Sequence, residues 1–576
     1  MATSNLRRPA GRVVAGLIGL LVGVTTIGAP ASADGRSGPL VDVIVRADSG
    51  RDSGRVEAAI RQVGGTVDGS LPLISAFSAT VPSEALAGLR ATRGVAEVTA
   101  DGSVRMKADK WIDDGGTNIT VPAVKKAAGG KKKDSTVDTA SLTGAGIGVA
   151  LIDSGVAPVT GLNQPGKVVN GPDLSFESQT PGLANIDTYG HGTHMAGIIA
   201  GSDPAGASGS TGFEGIAPGA KLISLKVAAA DGAADVSQVV AAIDWAVQHR
   251  NDPGLNIRVL NLSFGTDSIQ DEKLDPLSYA VEAAWKNGIV VVVAVGNDGP
   301  TATRVTMPAA NPYVIAVGAA DPNGTDVRTD DKVATFSTRG SATRHADLLA
   351  AGRSVVSLRV PGSYIDTTYP GARVADAAGT VRFFRGSGTS QATAVISGSV
   401  ALLLQQRPGL NPDQVKKLLV QTADPLSGAD PIAAGAGQLD IAEAATVSIP
   451  MNATQTFTAA TGLGTLERAR GSSHVVDAAT GVTLAGEKDI FGAPWAPATW
   501  TAAAKNGRAW TGGTWNGRVW TGTAFTGTSW ASLTWSPVIW TSPTWTGRSW
   551  TGGTWTGRSW TGGTWTGRSW TGRSWT

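Results

Sequence analysis

Three short stretches, Ile152-Asp153-Ser154-Gly155, His191-Gly192-Thr193-His194 and Gly388-Thr389-Ser390, set an acid, a base and a hydroxyl in the chain order Asp, His, Ser. A serine hydroxyl is a weak nucleophile at neutral pH. It needs an imidazole to take its proton and a carboxylate to hold that imidazole's tautomer and orientation. The trio therefore points to nucleophilic catalysis. Asp153 alone could be a helix cap or turn aspartate, but it closes a wholly apolar run, Ile147 to Ile152. Its carboxylate is expected at the carboxyl edge of a sheet, where open α/β folds place ligands. His191 and Ser390 stand just before or at the start of expected helices, beside glycines that let other backbone come close.

The elements that must carry these residues follow from the hydrophobic pattern. From Gly144 to about Val447, apolar runs at Ile147 to Ile152, Lys221 to Val227, Val259 to Ser263, Ile289 to Val295 and Val314 to Val317 read as strands. Helices are expected at His194 to Ala200, Val236 to Gln248, Asp275 to Asn287, Ser390 to Gln406 and Pro412 to Thr422. Alternation of this kind predicts an α/β fold in three layers, with a parallel sheet buried on both faces. Before it, Val41 to Met106 reads β-α-β-β-α-β, the outline of a small ferredoxin-like α+β domain. Between them, Lys107 to Ser141, centred on Gly129-Gly130-Lys131-Lys132-Lys133-Asp134, reads as an exposed linker.

With Val149 to Gly155, His191 to Gly201, Gly215-Ile216-Ala217-Pro218, Ser224-Leu225-Lys226-Val227, Asn261 to Gly265, Ala294-Val295-Gly296-Asn297 and Gly388-Thr389-Ser390 in this order, the central region resembles the subtilisin-family serine peptidases, the subtilases. The resemblance implies that Ser390 is the nucleophile, His191 the general base and then acid, and Asp153 the group that orients His191. His194 matches the family's structural second histidine, and an i,i+3 histidine pair without a third ligand is a poor metal site. Acyl transfer builds negative charge on the former carbonyl oxygen, and Asn297 matches the side-chain donor that, with the N–H of Ser390, forms the oxyanion hole. Losing such a donor costs about 3–4 kcal/mol, a figure measured in subtilisin itself.

Ser263, Phe264 and Gly265 resemble the strand beside the primary specificity pocket, to whose edge an extended peptide adds by main-chain hydrogen bonds. Ala294, Val295 and Gly296 match its floor. An apolar floor without a buried acid implies uncharged, bulky apolar side chains at the cleavage site. The first domain resembles an inhibitory propeptide that assists folding and blocks the site until it is removed, with processing between Lys107 and about Val121. The family needs no cofactor for its chemistry and commonly holds structural calcium, for which no ligands are assigned. Two departures bear on rate and pocket shape. Gln391-Ala392-Thr393-Ala394-Val395-Ile396 stands where the family has Met-Ala-x-Pro-His-Val, and Ala350-Ala351-Gly352 where it often has Ala-Pro-Gly.

The ends of the chain carry other signals. Arg7, Arg8 and Arg12 precede an apolar run from Val13 to Ile27, and Ala31-Ser32-Ala33 supplies a small-x-small site. The chain is thus expected to be exported, with cleavage after Ala33 and no stable membrane anchor. Arg7-Arg8 admits the twin-arginine route as a lesser alternative. No cysteine is present, which excludes disulfides and thiol catalysis, and the net charge of +2 gives no overall pull toward nucleic acid.

From Trp495 to Trp575 an aromatic residue falls at almost every fifth position, with Lys505 and Phe525 the two replacements for Trp. Five residues advance about 140° around a helix and reverse the face of a strand, so neither element gathers the indoles on one side. A β-solenoid-like coil and a disordered tract both remain open. The segment holds Arg and Lys but no Asp or Glu, which suits stacking on sugars or attraction to anionic wall polymers; a self-packed stalk is the plainer reading. The expected layout is a signal peptide at 1–33, the inhibitory domain at 38–107, a linker and enzyme start at 108–142, the peptidase domain at 143–448, a linker at 449–494 and the Trp-rich tail at 495–576. The functional expectation is a secreted, self-processing serine endopeptidase acting on proteins or peptides. The alternative is a catalytically weak surface adhesin that binds wall glycans through the repeats.

Overall fold

The computed structural model describes residues 40–48, 52–71, 76–100, 117–129, 141–180, 182–203, 212–471, 474–476, 483–516 and 518–521. The expected leader, most of the processing region and the tail beyond Thr521 lie outside them.

Among the described residues, two large hydrophobic cores form separately. The first belongs to β1 (Leu40–Ala47), α1 (Ser53–Gln62), β2 (Thr66–Leu71), β3 (Ala76–Pro82), α2 (Leu86–Arg90) and β4 (Val95–Ala100). Its strands lie in the order β2-β3-β1-β4, antiparallel throughout. Val56, Ala59 and Ile60, spaced three and four apart, fall on one face of α1 and are buried against it. The β-α-β-β-α-β outline of the sequence is the one observed.

The second core surrounds a sheet of β5 (Gly148–Asp153), β6 (Val168–Asn170), β7 (Lys221–Lys226), β8 (Ile257–Leu262), β9 (Val290–Ala294), β10 (Ile315–Asp321) and β11 (Leu348–Ala351). The order is β11-β10-β9-β8-β5-β7-β6, all parallel, and Lys332–Val333 adds an antiparallel pair to β10. Every residue of β5 and β9 is buried, as a strand covered on both faces requires. The covering helices are α3 (His191–Ala200), α4 (Val236–His249), α5 (Pro276–Lys286), α6 (Thr389–Gln406) and α7 (Pro412–Thr422). Helix α6 is buried from Thr389 through Leu404, so its apolar character is not confined to one stripe. It passes close to the loop before β7: a Cβ on Gly398 would stand 2.7 Å from Ile216 Cβ.

Two stretches depart from the sequence reading. Residues 119–129, expected in an exposed linker, belong to the second core. Ile119–Thr120 pairs with Val355–Leu358, and Val121–Ala128 is a helix burying Val121, Val124 and Ala128. Thr120 caps it by accepting from Ala123 N, and Pro122 sits in its first turn, where its missing N–H costs nothing. The lysines that follow hide this signal in a composition average. Within 449–494, expected as a linker, the described residues include α8 (Leu466–Arg470), and Ala460 and Arg470 bond to α5 and to the cap of α4. The first tail units continue there as α9 (Pro497–Lys505) and a hairpin, β12 (Gly512–Trp515) with β13 (Arg518–Thr521).

Candidate active site

Three neighbouring strands end at the same level. Leu262 of β8 is in register with Ile152 of β5 and with Val293 of β9, so Asp153, Ser263 and Ala294 share the carboxyl edge of the sheet. Helices α3 and α6 begin at that edge with His191 and Thr389-Ser390. Sequence segments far apart are thereby brought to one place by strand order alone.

His191 Nδ1 lies 2.8 Å and 3.0 Å from the two oxygens of Asp153, and both side chains are fully buried. A carboxylate only accepts, so Nδ1 carries the proton and Nε2 is the basic nitrogen. The pair is close because Gly192 lets α3 approach the strand end: a Cβ there would stand 2.1 Å from Gly155 O. Ser390 Oγ, on the first turn of α6, donates to Ser263 O at 2.9 Å. Asn297, three residues past β9, accepts from Thr389 N at 2.9 Å and from Thr389 Oγ1 at 3.0 Å, both through Oδ1. These two bonds leave Nδ2 beside Gly388, 3.4 Å from where a Cβ on that glycine would stand, with Ser390 N 3.7 Å from the same point.

Sequence reasoning missed the groups behind the trio. Ser154 Oγ lies 3.2 Å from Asp153 Oδ1 and 2.8 Å from Asp187 Oδ1, and it accepts from Gly192 N at 2.9 Å. Asp187 also takes Gly190 N at 2.6 Å and Thr193 N at 2.7 Å, so it caps the start of α3. Burial pushes its carboxyl above the ordinary range against those donors. An aspartate four residues ahead of His191 is the kind of helix-start signal that could have found it. His194 donates from Nε2 to Phe384 O at 3.0 Å, and burial drives its pKa down to about 3, so it is neutral and ties α3 to the strand Val381–Gly386.

The residues matched to a substrate strand and pocket floor also meet here. Ser263 is buried, its Oγ receives Asn261 Nδ2 at 2.9 Å, and Asn261 in turn accepts from Ser397 Oγ at 2.8 Å, which locks β8 to α6. Phe264 is buried, and Gly265 packs against Thr306: a Cβ on it would lie 2.4 Å from Thr306 Oγ1. Ala294 and Val295 are buried behind Gly296, whose φ of 107° favours glycine and which faces Thr306 Cγ2 and Thr338 Oγ1. Beside Gly296 stand the Thr306 methyl and the Thr338 hydroxyl, while the Thr306 hydroxyl donates to Val295 O at 3.4 Å. Among the described residues no group of three or more His, Asp or Glu side chains is placed to hold a metal ion, and no helix is long and apolar enough to cross a membrane.

A parallel α/β sheet carrying an Asp–His pair and a serine at the start of a buried helix defines a serine hydrolase. Comparison with known proteins narrows the class. The model described as "Subtilase family" matches residues 144–465, and one described as "Putative peptidase inhibitor domain" matches residues 21–101. Serine protease AprX of Bacillus subtilis (strain 168) is 40% identical over 306 residues, which cover 52% of this chain and 66% of AprX. Subtilisin BL of Lederbergia lenta is 33% identical over 305 residues, covering 53% of this chain and 92% of that protein. The crystal structure of fervidolysin from Fervidobacterium pennivorans, a keratinolytic enzyme related to subtilisin, aligns with a TM-score of 0.45 at 23% identity, over 72% of this chain and 62% of that one. The chain belongs to the subtilase family, the subtilisin-like serine endopeptidases, and carries a peptidase inhibitor domain ahead of the catalytic one.

Proposed function

We propose that the chain hydrolyses peptide bonds through an acyl-enzyme on Ser390, and that it is exported as a zymogen which processes itself. The observation that carries this reading is the buried Asp153–His191 pair at the sheet edge where Ser390 also stands. With Nδ1 protonated toward Asp153, His191 Nε2 receives the proton of Ser390 when Oγ swings from Ser263 O to the imidazole. Oγ bonds to the scissile carbonyl carbon, the carbonyl π pair moves onto oxygen, and Asn297 Nδ2 with Ser390 N receives that charge. Thr389 holds Asn297 by its Oδ1, so the donor is oriented before charge develops. The proton on His191 then passes to the leaving amine, and water repeats the sequence to release the acid.

The substrate lies extended along Ser263 to Gly265, with an uncharged side chain in the pocket over Ala294, Val295 and Gly296. The domain at 38–107 occupies the cleft until it is cut. Conversion should be read as loss of that domain in active Ser390 protein and its retention in a Ser390→Ala chain. The same variant tests the chemistry: the matured protein should cleave an unfolded protein and an acyl ester, and Ser390→Ala should cleave neither. Equal cleavage by both would overturn the reading.

The adhesin alternative does not explain why Asp153, His191, Ser390 and Asn297 are all retained and grouped. Wall retention is assigned to the tail beyond Thr521, since the indoles before it are engaged by the peptidase domain. A chain ending at Thr521 should keep peptide turnover and leave the cell wall.

A further inference from the structure

The residue after Ser390 is a glutamine where the family resemblance calls for methionine. Gln391 is 0% exposed, and among the described residues neither Oε1 nor Nε2 has a hydrogen-bond partner. Buried polar groups are nearly always paired, and an unpaired one is costly. A methionine would fill a similar volume without that cost, so packing alone does not account for the amide. Its position suggests what does. In the direction a Cβ on Gly388 would take, the nearest atoms are Gln391 Oε1 at 2.8 Å, Asn297 Nδ2 at 3.4 Å and Ser390 N at 3.7 Å. The last two are the donors assigned to the oxyanion.

We propose that Gln391 is a third hydrogen-bonding group of the oxyanion site, donating through Nε2 during acyl transfer. The inference rests on the role given to Asn297 above. Without substrate, Oε1 is the end of the amide nearer Gly388, beside which the other two donors also lie. A negative oxygen arriving there repels a carbonyl oxygen and attracts an N–H. The last torsion of a glutamine side chain is broad and two-fold, so a half-turn exchanges the two ends. Because neither end has a partner among the described residues, that turn breaks no hydrogen bond to them. When Ser390 Oγ bonds to the carbonyl carbon and its proton goes to His191, the new oxyanion accepts from Gln391 Nε2, Asn297 Nδ2 and Ser390 N. No proton moves from the amide, and the bond weakens again as the intermediate collapses. A contact that is strongest in the transition state acts on kcat and leaves KM nearly unchanged.

The test compares the processed full chain with Gln391→Met, Gln391→Glu and Asn297→Ala. Each is measured on a peptide amide and with a peptide aldehyde, whose adduct with Ser390 carries the same oxygen. Gln391→Met should lower kcat and aldehyde affinity together by roughly tenfold, the worth of one such bond, with KM unchanged and the unfolding temperature not lowered. Gln391→Glu keeps the shape and, once ionised, only accepts. Its kcat relative to the unaltered chain should therefore fall as pH rises from about 5 to about 8, and it keeps the test standing if methionine packs badly. If Gln391→Met holds kcat and aldehyde affinity within about twofold while Asn297→Ala loses about a hundredfold, the oxyanion reading stands and the role of Gln391 is overturned. Unchanged turnover in Asn297→Ala would overturn both.

Discussion

In the cleft, Asp153, His191, Asn297 and Ser390 arrive from segments separated by long stretches of chain and meet at one sheet edge. In the C-terminal segment the opposite happens. Trp495, Trp500, Trp510 and Trp515 recur on a five-residue period yet go to different places. Trp500 donates from Nε1 to Asp244 Oδ2 at 2.8 Å, with its ring 4.8 Å from Trp495 and 5.3 Å from Tyr279. Trp510 packs on Phe491 at 5.5 Å, and Trp515 on Phe176 at 5.2 Å. Beside them, Arg470 is buried and bonds Asp235 from Nε at 2.7 Å. Burial opposes its charge, but Asp235 and Glu467 outweigh that and raise its pKa. The cleft is organised by strand order, which tolerates any sequence separation. The Trp segment is organised by what each indole meets, on α4, α5 and the loop at Phe176 or within the segment itself at Phe491. A regular period in sequence therefore need not yield a regular period in space. The division of labour should be equally sharp: one region governs turnover, the other stability.

Asp153→Asn should lower kcat roughly ten-thousandfold, the order measured for this exchange in other serine peptidases and for loss of the aspartate in subtilisin itself, while the unfolding midpoint in denaturant stays put. A large stability loss with intact turnover would break the contrast. Arg470→Met should do the reverse. It leaves Asp235 buried without its cation and should cost about 3–5 kcal/mol in denaturant unfolding, with kcat at room temperature unchanged.

Asp244 sharpens the same contrast through pH. Burial raises its carboxyl to about 7 against the Trp500 bond, whereas an unfolded aspartate titrates near 4. Between those values the folded chain holds a proton that the unfolded chain has released. The contribution of Asp244 to stability should therefore be greatest below about pH 4, fall as pH rises toward about 7 and level off above it. Asp244→Asn should remove that decline and stabilise the protein at about pH 8 by up to about 3 kcal/mol. An unaltered pH profile of stability would show that Trp500 and its neighbours do not bury this carboxyl. The smallest effect is expected for a chain ending at Thr521, with peptide turnover and unfolding temperature both unchanged. A loss of either would extend the stabilising segment beyond Thr521.

Strands β5 and β7 to β10 were legible because a strand buried on both faces is a near-continuous apolar run. Helix α6 was legible because its apolar stretch is long and ends at Arg407-Pro408. The trio was legible because each member sits at an element boundary beside glycine. Ser154 and Thr389 were not, because their importance lies in contacts that form only when α3 and α6 dock on the sheet, whereas Asp187 left the local signal of an acid ahead of a helix start. The helix Val121–Ala128 was masked by the lysines after it. In the Trp segment, Pro497 and the run Ala502-Ala503-Ala504 favour a helix over the first units, and the glycines after Thr511 allow a turn back. Local propensity and docking override the period.

The central claim is that Ser390 becomes acylated by means of His191 and Asp153. The direct measurement is to treat the processed chain with a fluorophosphonate, digest it and locate the adduct by mass spectrometry. A single adduct on Ser390, formed in step with loss of peptidase activity and absent from His191→Ala, is the predicted result. An adduct elsewhere, or activity that survives full modification of Ser390, would contradict it.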